Sequence, residues 1–278
     1  MNKNGVTLVE LIVAIAIGLI IMLAIYAASE MAQRSSVSIA QKVVTQQDAR
    51  AVLDLMAMEI RMASYNPTMS STIWSTIPSS TSVSPIISCT QMGLAAPVSG
   101  NKGIQIANAN NILIAMDLSN DVKIGCSCTN GCCGPPNTCN DTTDAVCAGR
   151  NEYIMYSYNS AEKKITRNVS CGGNDAILGG ANSATMIANN DTNPVVNLFT
   201  YWGPNIDNAL LPDIDITDNV SSTTASTAAK WIPQIRCVVI TIVADTEQQD
   251  ATTKKKRRMT YSTSVMVRNH VLSPPIPN

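Results

Sequence analysis

The feature that most limits this chain is a run of 19 residues, Leu11 to Ser29, without a single charge, preceded by one acid, Glu10, that interrupts an apolar block beginning at Val6. As a helix at ~1.5 Å per residue the run is ~28 Å long, close to the ~30 Å hydrocarbon core of a bilayer. Lys3 lies on the short side, so the positive-inside rule leaves the leader in the cytoplasm and carries the rest of the chain across. Three readings compete. A secretory signal would use Lys3 as its basic region, Leu11 to Ile25 as its apolar core and Ala27-Ala28-Ser29 as its cleavage site. A plain anchor needs only the apolar stretch. Neither explains Glu10: an acid at membrane depth costs ~2.5–3.5 kcal/mol on insertion scales and marks a functional position that requires a partner.

Composition excludes several classes. With 278 residues the chain suits one or two domains, and a net charge of −1 lacks the basic excess of a dedicated nucleic-acid binder. Nine cysteines fit an oxidising compartment better than the cytosol, and a single histidine removes most His-dependent catalysis and His-rich metal sites.

Beyond the apolar run the helical pattern continues. Ala49, Val52, Leu53, Met56, Ile60 and Ala63 recur at three- and four-residue steps, whereas Arg50, Asp54, Glu59 and Arg61 are read as falling largely on other faces. Pro67 restricts Asn66 and predicts a helix end near Ser64. Residues 67–100, rich in Ser, Thr and Pro, read as a connecting loop. Strands are predicted at Gly103–Ile106, Asn111–Met116, Val195–Trp202, Ile235–Ala244 and Met259–Arg268. Glu152–Tyr158 and Ile165–Val169 read as a hairpin around the polar turn Asn159–Lys164. Strands following one long helix define an α+β class with an antiparallel sheet.

Gly5-Val6-Thr7-Leu8-Val9-Glu10, followed by Leu11 to Ile17, resembles the class III signal of type IV pilins and type II secretion pseudopilins. The resemblance implies a pilin-like fold, cleavage between Gly5 and Val6 by prepilin peptidase, N-methylation at Val6, and an assembly role for Glu10 at the fifth mature position. Val6 stands where the family usually has Phe. Ile60 to Pro67, Trp231 to Thr241 and Tyr261 to Asn269 are similar to segments of PilW-like minor pilins. The layout expected is a cleaved leader, 1–5; a long helix, 6–66, transmembrane over about 8–29 and amphipathic over about 30–64; and a β-rich head, 67–278. The implied partners are other minor pilins, the major pilin, prepilin peptidase and the inner-membrane assembly platform. The implied setting is a single pass through the inner membrane with a periplasmic head, then the pilus. A GspJ-like secretion pseudopilin, a pilus-tip binding or adhesin module, and an anchored protein that never polymerises are the alternatives.

Other clusters carry weaker chemistry. Cys126, Cys128, Cys132, Cys133, Cys139 and Cys147 crowd one segment without the paired C-x-x-C knuckles of zinc sites, and read as a disulfide-stapled insert over 126–147. Cys89, Cys171 and Cys237 lie apart, so the odd total leaves at least one thiol free or paired between chains. Asp213, Asp215 and Asp218 place oxygens that could serve calcium, but a solvated acidic loop is preferred and no cofactor is expected. Lys254-Lys255-Lys256-Arg257-Arg258 reads as a solvated hairpin loop rather than a nucleic-acid contact. His270 stands without a nucleophile motif, and no enzymatic activity is expected.

Overall fold

The computed structural model describes residues 7–69, 101–118, 152–169, 174–181, 183–205, 212–221, 230–246, 249 and 255–268. It opens with one α-helix, α1, Leu8–Arg61, 54 residues long. At ~1.5 Å per residue this is ~81 Å. Thr7 is its N-cap, and the helix runs without Pro until Met62 caps its end. Ser64 then takes a left-handed backbone with φ of 64°, which turns the chain out of the helix axis three residues before Pro67.

Ten strands follow: β1 Ile104–Ala107, β2 Asn111–Ala115, β3 Tyr153–Asn159, β4 Lys164–Val169, β5 Asp175–Gly179, β6 Thr185–Ile187, β7 Phe199–Gly203, β8 Ile214–Asp215, β9 Cys237–Thr246 and β10 Arg258–Met266. A short helix, α2, Thr217–Val220, follows β8. The first five strands form an antiparallel meander in sequence order. The second sheet runs β10-β9-β7-β8, with β6 pairing the far end of β9. This is the α+β class expected from one helix followed by strands.

A single core joins the layers. The buried stripe of α1, with Ala49, Val52, Leu53, Met56 and Ile60, packs with Ile112, Ile114, Ile154 and Ile165 of the first sheet. Phe199, Tyr201, Val238, Ile240, Ile242 and Val265 contribute from the second. The alternation around Val265 and Val267 holds, since both are buried while Ser264 and Met266 are exposed. In β2 and β3 the alternation fails. Leu113, Ala115, Tyr153 and Met155, on the side away from this core, are buried as well. A run such as Ile112-Leu113-Ile114-Ala115 therefore reports a strand covered on both faces.

The helix end is fastened to β1 and β2. The Ser64 N–H donates to the Ala115 carbonyl at 3.0 Å, and the Gly103 N–H donates to the Ser64 hydroxyl at 3.0 Å. A Cβ on Gly103 would sit 2.0 Å from the Ser64 nitrogen, so only glycine allows this approach.

Three strands escaped the sequence pattern. β6 and β8, three and two residues long, are too short for alternation to register, and β5 buries only Leu178. The strand expected from Val195 begins only at Phe199, and Val195 is exposed. The reason lies in Asn189. Its side-chain amide donates to the carbonyls of Thr241, at 2.8 Å, and Val196, and its Oδ1 accepts from the Val243 N–H at 2.9 Å. One buried amide thus completes the edge of β9 between β7 and β6, where no strand is present.

Candidate assembly site

The amino-terminal end of α1 is organised by two residues. The Glu10 carboxylate accepts from the Thr7 N–H at 2.8 Å and from the Thr7 hydroxyl at 3.0 Å. In return the Thr7 hydroxyl oxygen accepts from the Glu10 N–H at 3.3 Å. This capping box satisfies donors that the first helical turn leaves unpaired. Glu10 is exposed here, and among the described residues its only partners are the atoms of its own cap. Gly5 and Val6, the expected cleavage site, lie outside the described residues.

From Leu8 to Val44 the apolar side chains of α1 are uncovered; Ile20 is 67% exposed and Leu23 67%. The helix holds an 18-residue window of mean hydropathy 3.0, none of it buried. It is the one helix among the described residues long and apolar enough to cross a membrane. Glu30 and Arg34 pair one turn apart just beyond the uncharged run.

The other end of α1 contains a charged residue that the sequence reading misplaced. Glu59, expected on an outer face, is 5% exposed. Its Oε1 accepts from Arg167 Nη2 at 2.6 Å, and its Oε2 accepts from Arg167 Nε at 3.1 Å and from the Tyr156 hydroxyl. The spacing held the signal, because Val52, Met56, Glu59 and Ala63 follow one another by four, three and four positions on the buried stripe. Burial is the main force that pushes the Tyr156 phenol far above its ordinary range, aided by the Glu59 hydrogen bond and charge. Arg167 is held above its usual value: burial acts against its charge, but the Glu59 contacts outweigh it. The triad ties the helix, which lies against β9, β10 and β5, to β3 and β4 of the first sheet.

The remaining candidates separate in space. Cys89, Cys126, Cys128, Cys132, Cys133, Cys139, Cys147 and Cys171 lie outside the described residues, as do Lys254 and His270. Cys237, at the start of β9, is a half-buried free thiol. Burial, the largest influence, pushes this thiol up. Asp213 pairs with Arg236 at 2.9 Å, Asp215 accepts from the Thr217 N–H and hydroxyl at 2.8 and 2.6 Å, and Asp218 is exposed. Among the described residues no group of three or more His, Cys, Asp or Glu side chains is placed to hold a metal ion.

Lys255 to Arg258 enter β10 at the end of the β9–β10 hairpin, all exposed. Arg258 is neutralised by Asp245 through two bonds of 2.8 Å. An open groove of about 950 Å³ nearby is lined by Asp48, Val52, Glu162, Lys163, Lys164 and Met186, among others.

A long exposed apolar helix with an acid at its start, carrying a β-rich head, is the architecture of a filament subunit or a membrane-anchored module. A family model, the prokaryotic N-terminal methylation motif, matches residues 1–26. The chain carries the amino-terminal signal of the type IV pilin family, that of a pilin or pseudopilin. The signal and the single apolar helix fit a single-pass anchor in the inner membrane before assembly. The motif implies processing by prepilin peptidase and assembly with other pilins, and points to a structural subunit. Comparison with curated proteins and with solved structures gave no match.

Proposed function

We propose that this chain is a minor subunit of a type IV pilus. It is cut between Gly5 and Val6, methylated at Val6, and placed with other minor pilins at the start or tip of the fibre. The major pilin and the inner-membrane assembly platform are its further partners. The observation that carries the reading is the division of α1: its last third is packed on the head, while its first two thirds are uncovered and begin with Glu10. Such a surface is covered by lipid before assembly and by neighbouring helices after it.

Glu10 supplies the register. Cleavage after Gly5 creates a free α-amino cation at Val6, four residues from the acid. Inside a packed bundle a lone carboxylate is costly, and a neighbour's amine makes it tolerable, so correctly staggered subunits are selected. The head favours a rare position, because a large domain with a cysteine-rich segment is bulky for a subunit repeated along a fibre.

The test is deletion of the coding gene followed by complementation. Loss of the chain lowers the number of surface filaments at least tenfold, and the wild-type chain restores them. Normal filament numbers together with a block in protein secretion would overturn the pilus assignment and favour a secretion pseudopilin.

A further inference from the structure

The face of the first sheet turned away from α1 is buried within the chain, and we infer that residues 70–100 cover it as a layer of the head. Residues 70–100 lie outside the described ones, but the face they meet is described, as are the points where the chain leaves and rejoins it.

The register places one set of side chains on that face. Leu113 pairs with Met155 and Ala115 with Tyr153, and Met155 pairs in turn with Asn168. All five are at most 9% exposed. The four apolar ones belong to no part of the core that α1 and the two sheets share. The described helices are engaged elsewhere: α1 lies against β9, β10 and β5, and α2 against β7. Along β2 and β3 the burial fades, because Asn111 and Ser157, on the same side but farther from Asp117, are half-buried. The covering material therefore enters at the Asp117 end. An antiparallel sheet can leave one face in water; this one does not.

Two long segments outside the described residues join the sheet at this end, 70–100 and 119–151, and their chemistry differs. Residues 70–100 hold no Asp, Glu, Lys, Arg or His and carry nine large apolar side chains, among them Ile73, Trp74, Ile86, Ile87 and Leu94. Residues 119–151 hold five charged residues and three large aliphatic ones, Val122, Ile124 and Val146. An uncharged stretch as apolar as the first would, if left in water, form the kind of exposed patch that soluble domains avoid. It needs an apolar surface to lie on, and Leu113, Ala115, Tyr153 and Met155 need an apolar occupant.

Both ends of 70–100 are held beside β2. The Asp117 N–H donates to the Tyr65 carbonyl at 2.9 Å, so the chain passes the end of that strand just before Met69. The Ala115 N–H donates to the Gly103 carbonyl at 2.7 Å, so the chain returns to the same end just after residue 100. The 31 residues between are ample. At ~3.3 Å each they reach ~100 Å, whereas neighbouring strands lie only ~4.8 Å apart. Residues 70–100 are thus a packed layer rather than a solvated connection, and the first sheet becomes the middle of three layers. Filled from within, its outer face offers no contact to other subunits.

Met155 reports on the contact directly. The full wild-type chain is made with photo-methionine, irradiated in detergent, and its cross-links are mapped by peptide mass spectrometry. Links from Met155 should reach residues 70–100, with links to Leu113 and Asn168 on the neighbouring strands as internal controls. Links to 119–151 in place of 70–100, or none beyond the sheet itself, overturn the inference. A second measurement puts charge into the uncharged stretch, as Ile86→Asp combined with Ile87→Asp. Dilute peroxide should then oxidise Met155 at least tenfold faster than in the wild type, while Met56, on the inner side, stays protected. An unchanged rate at Met155 overturns the inference as well. Oxidation of both methionines would mean that the variant has lost its fold, and the cross-links of the wild-type chain then decide.

Discussion

The two ends of α1 carry one carboxylate each, and the contrast between them explains the molecule. Glu59 finds both partners within its own chain, Arg167 and Tyr156, and is sealed inside the head. Among the described residues Glu10 finds only the cap of its own helix, and it stays exposed ahead of a run, Leu11 to Ser29, that lacks charge. One acid completes the fold; the other leaves it incomplete. Uncovered apolar surface combined with a locally capped acid is what a subunit needs if its final contacts come from another molecule.

The largest expected effect separates the two acids most sharply. Glu10→Ala should lower incorporation into filaments by more than a hundredfold, measured against the membrane pool, while the thermal midpoint of the head stays unchanged. A shifted midpoint would show that Glu10 also serves the fold.

Glu59→Ala should do the reverse. Removing one partner of a buried pair costs about 3–5 kcal/mol, and the partial exposure of Arg167 places this case at about 3. Urea unfolding of the full chain in detergent checks it. Replacing both Glu59 and Arg167 by Leu should recover most of that loss, because no buried charge is then left alone.

Tyr156→Phe is smaller, about 1.5–2 kcal/mol for one hydrogen bond to a charged group that keeps its other donor. The same phenol gives a pH dependence. Its folded-state pKa is raised above the unfolded value of about 10, so the folded chain holds the proton more tightly. That stabilisation is complete below about pH 10 and is lost as pH rises towards the folded-state value. The phenolate absorbance that belongs to Tyr156, read as the difference between wild type and Tyr156→Phe, should therefore rise together with unfolding, and Tyr156→Phe should lessen the alkaline loss, while Tyr158 and Tyr201, also raised mainly by burial, still contribute to it.

The smallest effect belongs to the exposed pair Glu30–Arg34. Glu30→Ala should change the stability of the helix by about 0.3–0.5 kcal/mol, measured by helicity in detergent. A larger loss would mean that this pair is covered in the membrane-bound chain.

Legibility in the sequence followed the reach of each interaction. The long helix and the apolar run are local patterns, and the stripe through Met56 and Ile60 stands where periodicity places it, whereas the capping box of Thr7 and Glu10, just as local, was not read. The β9–β10 pair was equally plain, because both strands are long and Val265 alternates with polar neighbours. Glu59 was misread because its chemistry was weighed above its helical position, and its partners lie 97 and 108 residues away. Asn189 gave no signal at all: an asparagine beside another in a polar stretch reads as a turn, and only the gap between β6 and β7 makes its amide structural.

The account rests on the uncovered helix being trimmed and joined to its neighbours through Glu10. Mass spectrometry of the mature chain tests this most directly. The account predicts a polypeptide that begins at Val6 and carries one added methyl group on its α-amine. A mature chain that still begins at Met1, or one cut after Ser29 with the apolar first part of α1 removed, would contradict it.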